Sequence, residues 1–212
     1  MAVPVLLIAA MDEARGAGLS TSPDGLPWKI PEEMAVFKKL TMPPPGKRHA
    51  LVMGGTTYRT LLARQEKRPI ADFAAEKTPL RLPGREIFLF SRTAHPVFPT
   101  LLSLRDMPEG FDLVFLCGGV QTYLEALRED VVDGLILSRI RGTFACDAFL
   151  PPFEENFEKI ASFDAHSSLF TTDFYVKWGE KTPARRAVRD LCQALSQCGE
   201  KEPSFSHKEQ AE

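Results

Sequence analysis

The chain has 212 residues, with Lys+Arg 26 against Asp+Glu 28 and a formal charge of -2. Such a length can bury one sizeable core, and the ordinary mixture of apolar and charged residues argues against a fibrous or disordered protein. The balanced charge argues against a nucleic-acid surface and points to a small-molecule partner; with no apolar run near the roughly 18 residues that cross a bilayer, and no signal-peptide pattern in Met1 to Ala10, a cytoplasmic protein is expected.

In chain order, Val3 to Ala10 (VPVLLIAA) is a continuous apolar run that predicts a strand covered on both faces, opening into a mobile loop over Gly16 to Gly25. Pro31 suits a first helical turn, Glu32 and Glu33 suit its positive end, and Met34, Phe37, Lys38 and Thr41 carry a short helix that stops before Pro43-Pro44-Pro45. Ala50 to Met53 predicts a buried strand, and Gly54-Gly55 leads into a helix over about Thr56 to Arg64. Glu86 to Ser91 and Leu113 to Cys117 predict two further strands, the second running through Gly118-Gly119 into a helix over Val120 to about Glu129. Leu135 to Ile140, Phe157 to Phe163 and Phe170 to Trp178 complete the sheet. The fold class is therefore α/β: a single domain over 1–179 with a mainly parallel central sheet, an antiparallel C-terminal edge and helices on both faces. An extension over 180–212 follows, with one amphipathic helix spaced by Val188, Leu191, Cys192 and Leu195 and a disordered tail from Glu200. The four cysteines, Cys117, Cys146, Cys192 and Cys198, are irregularly spaced and have no nearby histidine pairs, so free thiols and no metal site are expected.

Two features carry chemistry. Each glycine pair ends a strand and starts a helix, where backbone N–H groups and a partial positive charge face an approaching ligand. One such turn is as well explained by steric need; two can hold a pyrophosphate between them, with Thr56, Thr57, Gln121 and Thr122 as nearby donors. No GxGxxG fingerprint is present, which does not support an ordinary Rossmann domain. The other feature is Glu33, which shares a helical face with Phe37 while Glu32, about 100° away, faces elsewhere. A carboxylate on an apolar face is costly to ionise and suits proton chemistry or capture of a cationic heterocycle; read alone, a glutamate there equally complements the helix dipole.

The segment LPWKIPEEMAVFKKLT, Leu26 to Thr41, resembles the active-site segment of dihydrofolate reductases. VMGGTTY (Val52 to Tyr58), LPGREIFLFSR (Leu82 to Arg92), LCGGVQTY (Leu116 to Tyr123) and CDAFLP (Cys146 to Pro151) follow in that family's order, and the resemblance covers roughly Val3 to Trp178. It implies NADPH-dependent reduction of 7,8-dihydrofolate to tetrahydrofolate in one-carbon metabolism, binding of antifolate-type molecules, and a monomer. By the resemblance, Glu33 holds the pterin and helps deliver a proton to N5, Trp28 walls the site, and Ser138 is the hydroxyl partner where the family commonly has threonine. Arg85 is implied to bind the carboxylate of the substrate's glutamate tail. Ile8, Met34, Phe37, Leu61, Leu82 and Cys117 would line the pterin pocket, with Tyr123 bridging to the nicotinamide. Ala10, Ala17 and Gly18 would border the nicotinamide, and Gly54, Gly55, Thr56 and Thr57 with Gly118, Gly119, Val120, Gln121 and Thr122 would hold the pyrophosphate. Ser91 and Arg92 would meet the adenosine 2'-phosphate, although Gly55 stands where the family usually carries a second basic residue.

The stretch from Gly18 to Leu26 is longer than in compact bacterial members, and Leu62 to Arg81 is an insertion relative to them, both expected to affect loop closure and surface shape more than chemistry. A riboflavin-pathway pyrimidine reductase would lack the Pro27-Trp28 to Glu33 segment and the Leu82 to Arg85 turn. An inactive folate- or nucleotide-binding protein would have no need of Glu33, Trp28 and Arg85 together.

Overall fold

Strand β1 (Val5–Met11) sits inside an eight-stranded sheet because Leu6 and Leu7, on its opposite faces, are both fully buried. The computed structural model describes residues 3–73, 79–164, 168–179 and 183–197. A short β2 (Gly16–Gly18) follows, then α1 (Pro31–Thr41), β3 (His49–Gly54), α2 (Gly55–Glu66), β4 (Glu86–Phe90), β5 (Thr100–Leu101), β6 (Leu113–Leu116), α3 (Val120–Arg128) and β7 (Gly134–Ile140). The chain continues through β8 (Ala148–Phe149), β9 (Phe157–Asp164), β10 (Phe170–Lys177) and α4 (Pro183–Ser196).

The sheet order is β5-β4-β3-β6-β1-β7-β10-β9. Every pair from β5 to β7 is parallel, and β10 runs antiparallel to both β7 and β9, giving the parallel sheet with an antiparallel edge that the alternation of strands and helices predicts. One face packs Leu6, Leu51, Phe115 and Phe174 against Val36 and Leu40 of α1, Leu62 of α2 and Val188 of α4. The other packs Leu7, Val52 and Leu135 against Tyr123 and Ala126 of α3. Helix α4 lies against β9, β10 and α1, with Ala184, Val188 and Leu195 buried.

Two expectations need correction. The glycine-rich stretch after β1 is not simply loop: Gly16 and Gly18 pair with Phe149 and Ala148, and Leu19 N–H donates to the Gly25 carbonyl at 3.0 Å, so the turn is tied down. The insertion is also not only surface. Leu62 to Glu66 extend α2, a 3-10 turn follows over Ile70–Phe73, and Phe73 and Leu80 are buried, the latter's N–H donating to the Tyr58 hydroxyl at 2.9 Å. Cys117, Cys146 and Cys192 are free thiols; Cys198 and the tail from Glu200 lie outside the described residues. Among the described residues no helix is long and apolar enough to cross a membrane.

Candidate active site

Parallel α/β sheets gather ligands at the carboxyl ends of their strands, where connections on either side diverge. The cleft here obeys that rule. It encloses about 670 Å³ and is bounded by the ends of β1 (Ile8, Ala9, Ala10), β3 (Gly54), β4 (Phe90) and the residue that follows β6 (Cys117).

Helix α1 supplies one wall. Proline at its first turn and the absence of a side-chain cap leave Glu32 and Glu33 to complement its positive end, and only Glu33 turns inward. Glu33 is 7% exposed, with Met34 and Phe37 beside it in the cleft, while Glu32 is exposed. Burial raises the Glu33 pKa above its ordinary value, and a hydrogen bond with the Ser138 side chain opposes that rise. Ser138 reaches this point from β7, where it pairs with Ala10 on one side and Thr172 on the other. The Thr172 hydroxyl is wholly buried and has no hydrogen-bond partner among the described residues.

The opposite wall is built from the two glycine turns, which interlock. Gly54 N–H donates to the Gly118 carbonyl at 2.8 Å. A Cβ on Gly54 would stand 2.9 Å from the Thr122 hydroxyl oxygen, and one on Gly118, whose φ is +131°, would stand 2.8 Å from that of Thr57. Side chains larger than hydrogen are therefore excluded at the point where α2 and α3 both begin. The Gly118–Gly119 peptide is cis. Tyr123, from the first turn of α3, donates its hydroxyl to the Ile8 carbonyl at 2.8 Å and joins this wall to β1. Burial raises the Tyr123 pKa and pushes the Cys117 thiol up to about 12, so both stay protonated and neutral.

The cleft brings together Ile8, Ala10, Ala17, Gly18, Glu33, Met34, Phe37, Leu61, Ser91, Arg92, Cys117 and Tyr123, together with residues 54–57 and 118–122. Four expected residues lie behind its surface. Ser138 is buried beside Glu33. Trp28, 5% exposed, packs edge-on against Phe144 with ring centroids 5.4 Å apart, and its indole N–H is buried without a partner among the described residues. Leu82 packs against the core. Arg85 turns to the end of α1, where its Nη1 donates to the Thr41 hydroxyl at 3.0 Å; burial lowers its pKa, and Cys117 nearby opposes that.

Sequence reasoning missed a set of polar residues that line the cleft. Asp147 accepts hydrogen bonds from the Ser20 N–H at 2.9 Å and from the Ser20 hydroxyl, and Asp24 pairs with Arg64 at 3.4 Å; all four line the cleft. The CDAFLP motif could have pointed to Asp147, but nothing in its spacing names Ser20 as the partner. Asp12, 2% exposed, accepts from the N–H groups of Ala14, Gly16 and Phe144 at 2.9, 2.7 and 2.8 Å, holding the β1–β2 turn against the segment before β8.

A family model described as dihydrofolate reductase matches residues 4–175. The dihydrofolate reductase of Aedes albopictus is 28% identical over 173 residues, covering 74% of this chain and 84% of that protein. The bifunctional dihydrofolate reductase-thymidylate synthase of Glycine max is 27% identical over 146 residues, which is 61% of this chain but only 25% of that longer protein. In three dimensions the chain is similar to dihydrofolate reductase from Enterococcus faecalis complexed with NADP(H) and RAB-propyl, with a TM-score of 0.60 at 21% identity, covering 82% of this chain and 96% of the other. That likeness is one of fold.

Proposed function

The chain belongs to the dihydrofolate reductase family, and from that membership we infer that it reduces 7,8-dihydrofolate to 5,6,7,8-tetrahydrofolate with NADPH, residues 1–179 forming the catalytic unit and 180–212 an extension to it. The observation that carries this reading is Glu33, a buried carboxyl group of raised pKa that faces the same cleft as the paired glycine turns.

The glycine cradle fits a dinucleotide. Residues 54–57 and 118–122 present two helix starts and small hydroxyl side chains to one space, with backbone close enough for pyrophosphate to approach. Ala10, Ala17 and Gly18 leave room for a flat ring beside Glu33, and Ser91 and Arg92 stand at the other end. NADPH, when bound, supplies a hydride to C6 of the pterin.

The remaining work falls to the protein. Glu33 can hold the pterin's amidine-like edge through both carboxylate oxygens and, with its raised pKa, can keep a proton available for N5 at a pH where an exposed glutamate would have lost it. Ser138 fixes the carboxyl group's orientation. Leu26 lines the cleft, Trp28 backs it by packing on Phe144, and the Tyr123 hydroxyl ties α3 to β1 through the Ile8 carbonyl. Arg85 would take the carboxylate of the glutamate tail: among the described residues no carboxylate pairs with it, and Thr41 anchors one of its nitrogens.

The test is the loss of near-ultraviolet NADPH absorbance on mixing with dihydrofolate. Steady turnover is expected; the absence of turnover in folded protein would overturn the assignment. A pyrimidine reductase of the riboflavin pathway would instead consume NADPH with a ribosylated pyrimidine.

A further inference from the structure

Helix α2 begins at Gly55 on the rim of the cleft, and its first turn contains no acidic residue. Its amino-terminal end therefore keeps the partial positive charge of its free N–H groups without a carboxylate to balance it. Into this place the helix directs a cation. A Cβ on Gly55 would stand 3.4 Å from Nη1 of Arg59, so the Arg59 guanidinium lies against the bare backbone at Gly55, one turn back from its own Cα. Side chains on a helix lean toward the amino terminus, which is how a residue four positions on covers the first.

That arrangement is unfavourable by itself, since like charges are brought together, and among the described residues no carboxylate or carbonyl holds Arg59 in compensation. The neighbouring strand adds to the imbalance. Gly54 and Phe90 are register partners, so Gly55 and Ser91 leave the sheet side by side, and Ser91 and the exposed Arg92 line the same end of the cleft as Thr56. Arg92, two hydroxyls and a helix start line this end of the cleft, and the Arg59 guanidinium lies behind them against Gly55, which itself lines the cleft, so that an anion bound there would relieve the imbalance.

We propose that Arg59 is a specificity-determining residue of this enzyme, contacting the adenosine 2'-phosphate of NADPH across Gly55 and together with Arg92 setting the preference over NADH. The proposal rests on the functional reading above for the identity of the cofactor. The absence of a side chain at Gly55 is what gives Arg59 its path, so the glycine that removes a basic group from the first helical position is also what admits one from the fifth. A phosphomonoester, close to doubly charged near neutral pH, is the adenosine substituent that such a pair would recognise.

Binding of adenosine 2',5'-bisphosphate and of 5'-AMP to the full chain, measured by titration calorimetry without dihydrofolate, tests this directly. Arg59→Gln should weaken the bisphosphate about tenfold, on the order of one charge-assisted contact, while 5'-AMP affinity stays within about twofold. The retained 5'-AMP binding shows that the variant is folded. The ratio of kcat/KM for NADPH to that for NADH should fall by a similar factor. An unchanged bisphosphate affinity, or an equal loss for both nucleotides, would overturn the proposal. Failure of the functional reading looks different: a wild type that discriminates the two nucleotides through Arg59 yet turns over no dihydrofolate leaves this assignment standing and removes the substrate.

Discussion

The Ser138 side chain, on the central strand β7, is hydrogen-bonded to Glu33 on α1 and opposes the rise in pKa that burial imposes on that carboxyl group. The pair couples stability to chemistry with opposite signs. Below the ordinary glutamate value of 4.5, Glu33 is protonated in both folded and unfolded chains and contributes no pH dependence. As pH rises through the raised folded-state pKa, the buried group must ionise and the native state loses stability relative to a chain with a neutral residue there. Glu33→Gln should therefore unfold at a higher urea concentration than wild type near neutral pH, with the gain vanishing in acid, while turnover falls about a hundredfold or more. A variant equally stable at all pH values would show that burial does not strain this carboxyl group, and unchanged turnover would remove it from the mechanism.

Ser138→Ala takes away the group that holds the Glu33 pKa down and leaves the desolvation that pushes it up. Turnover that depends on a protonated carboxyl group is present below its pKa and lost above it, so the falling limb of the pH–rate profile should move to higher pH. Substrate saturation at each pH separates this shift from weakened binding. A limb that stays in place, or moves to lower pH, would mean that Ser138 does not act on Glu33.

What could be read from the sequence follows from how local the determining physics is. The choice of Glu33 over Glu32 needs only helical geometry, and Glu33 is buried while Glu32 is exposed. The two glycine turns are equally local, although that they interlock through Gly54 N–H and the Gly118 carbonyl depends on β3 and β6 being neighbours. The strands β2 and β8 are too short to show any alternation, and their pairing joins residues more than a hundred positions apart. Asp12 illustrates the limit. In sequence it is one acidic residue at a strand end, and only the folded chain brings Phe144 N–H to its carboxylate. Arg85 is the converse case: its motif alone suggests the substrate's carboxylate as its ligand, and the folded chain adds what no motif names, the Thr41 hydroxyl that accepts from its Nη1.

Replacing Asp12 tests whether the turn it holds shapes the cofactor site. Its two oxygens accept from three backbone N–H groups, and the turn packs so closely at Gly16 that a Cβ there would stand 2.4 Å from the Cys146 sulfur. Asp12→Ala leaves those donors without their acceptor and should cost about 2–4 kcal/mol in urea unfolding. Ala17 and Gly18 line the cleft from the same turn, so NADPH affinity should fall as well. Denaturation and NADPH fluorescence titration read the two effects separately. A loss of stability with intact NADPH binding would confine Asp12 to a structural role.

The ion pair between Asp24 and Arg64 invites the opposite expectation, a small effect on stability and a larger one on ligand exchange. The contact is 3.4 Å long, and the Arg64 side chain is 41% exposed, so Arg64→Ala should change stability by less than about 1 kcal/mol. Its position gives it another consequence. Asp24 belongs to the segment after β2 and Arg64 to α2, and both line the cleft, so the pair ties that segment to α2 across the ligand site. Lys29 stands 3.9 Å from the other oxygen of Asp24 and supplies a second positive charge, which means that removing the acid should do more than removing either base. Stopped-flow release of NADPH should be a few-fold faster in Asp24→Ala than in wild type, with Arg64→Ala between them, and the differences should shrink as added salt screens the exposed charges. Equal release rates in all three proteins at low salt would show that the segment closes the cleft by packing alone.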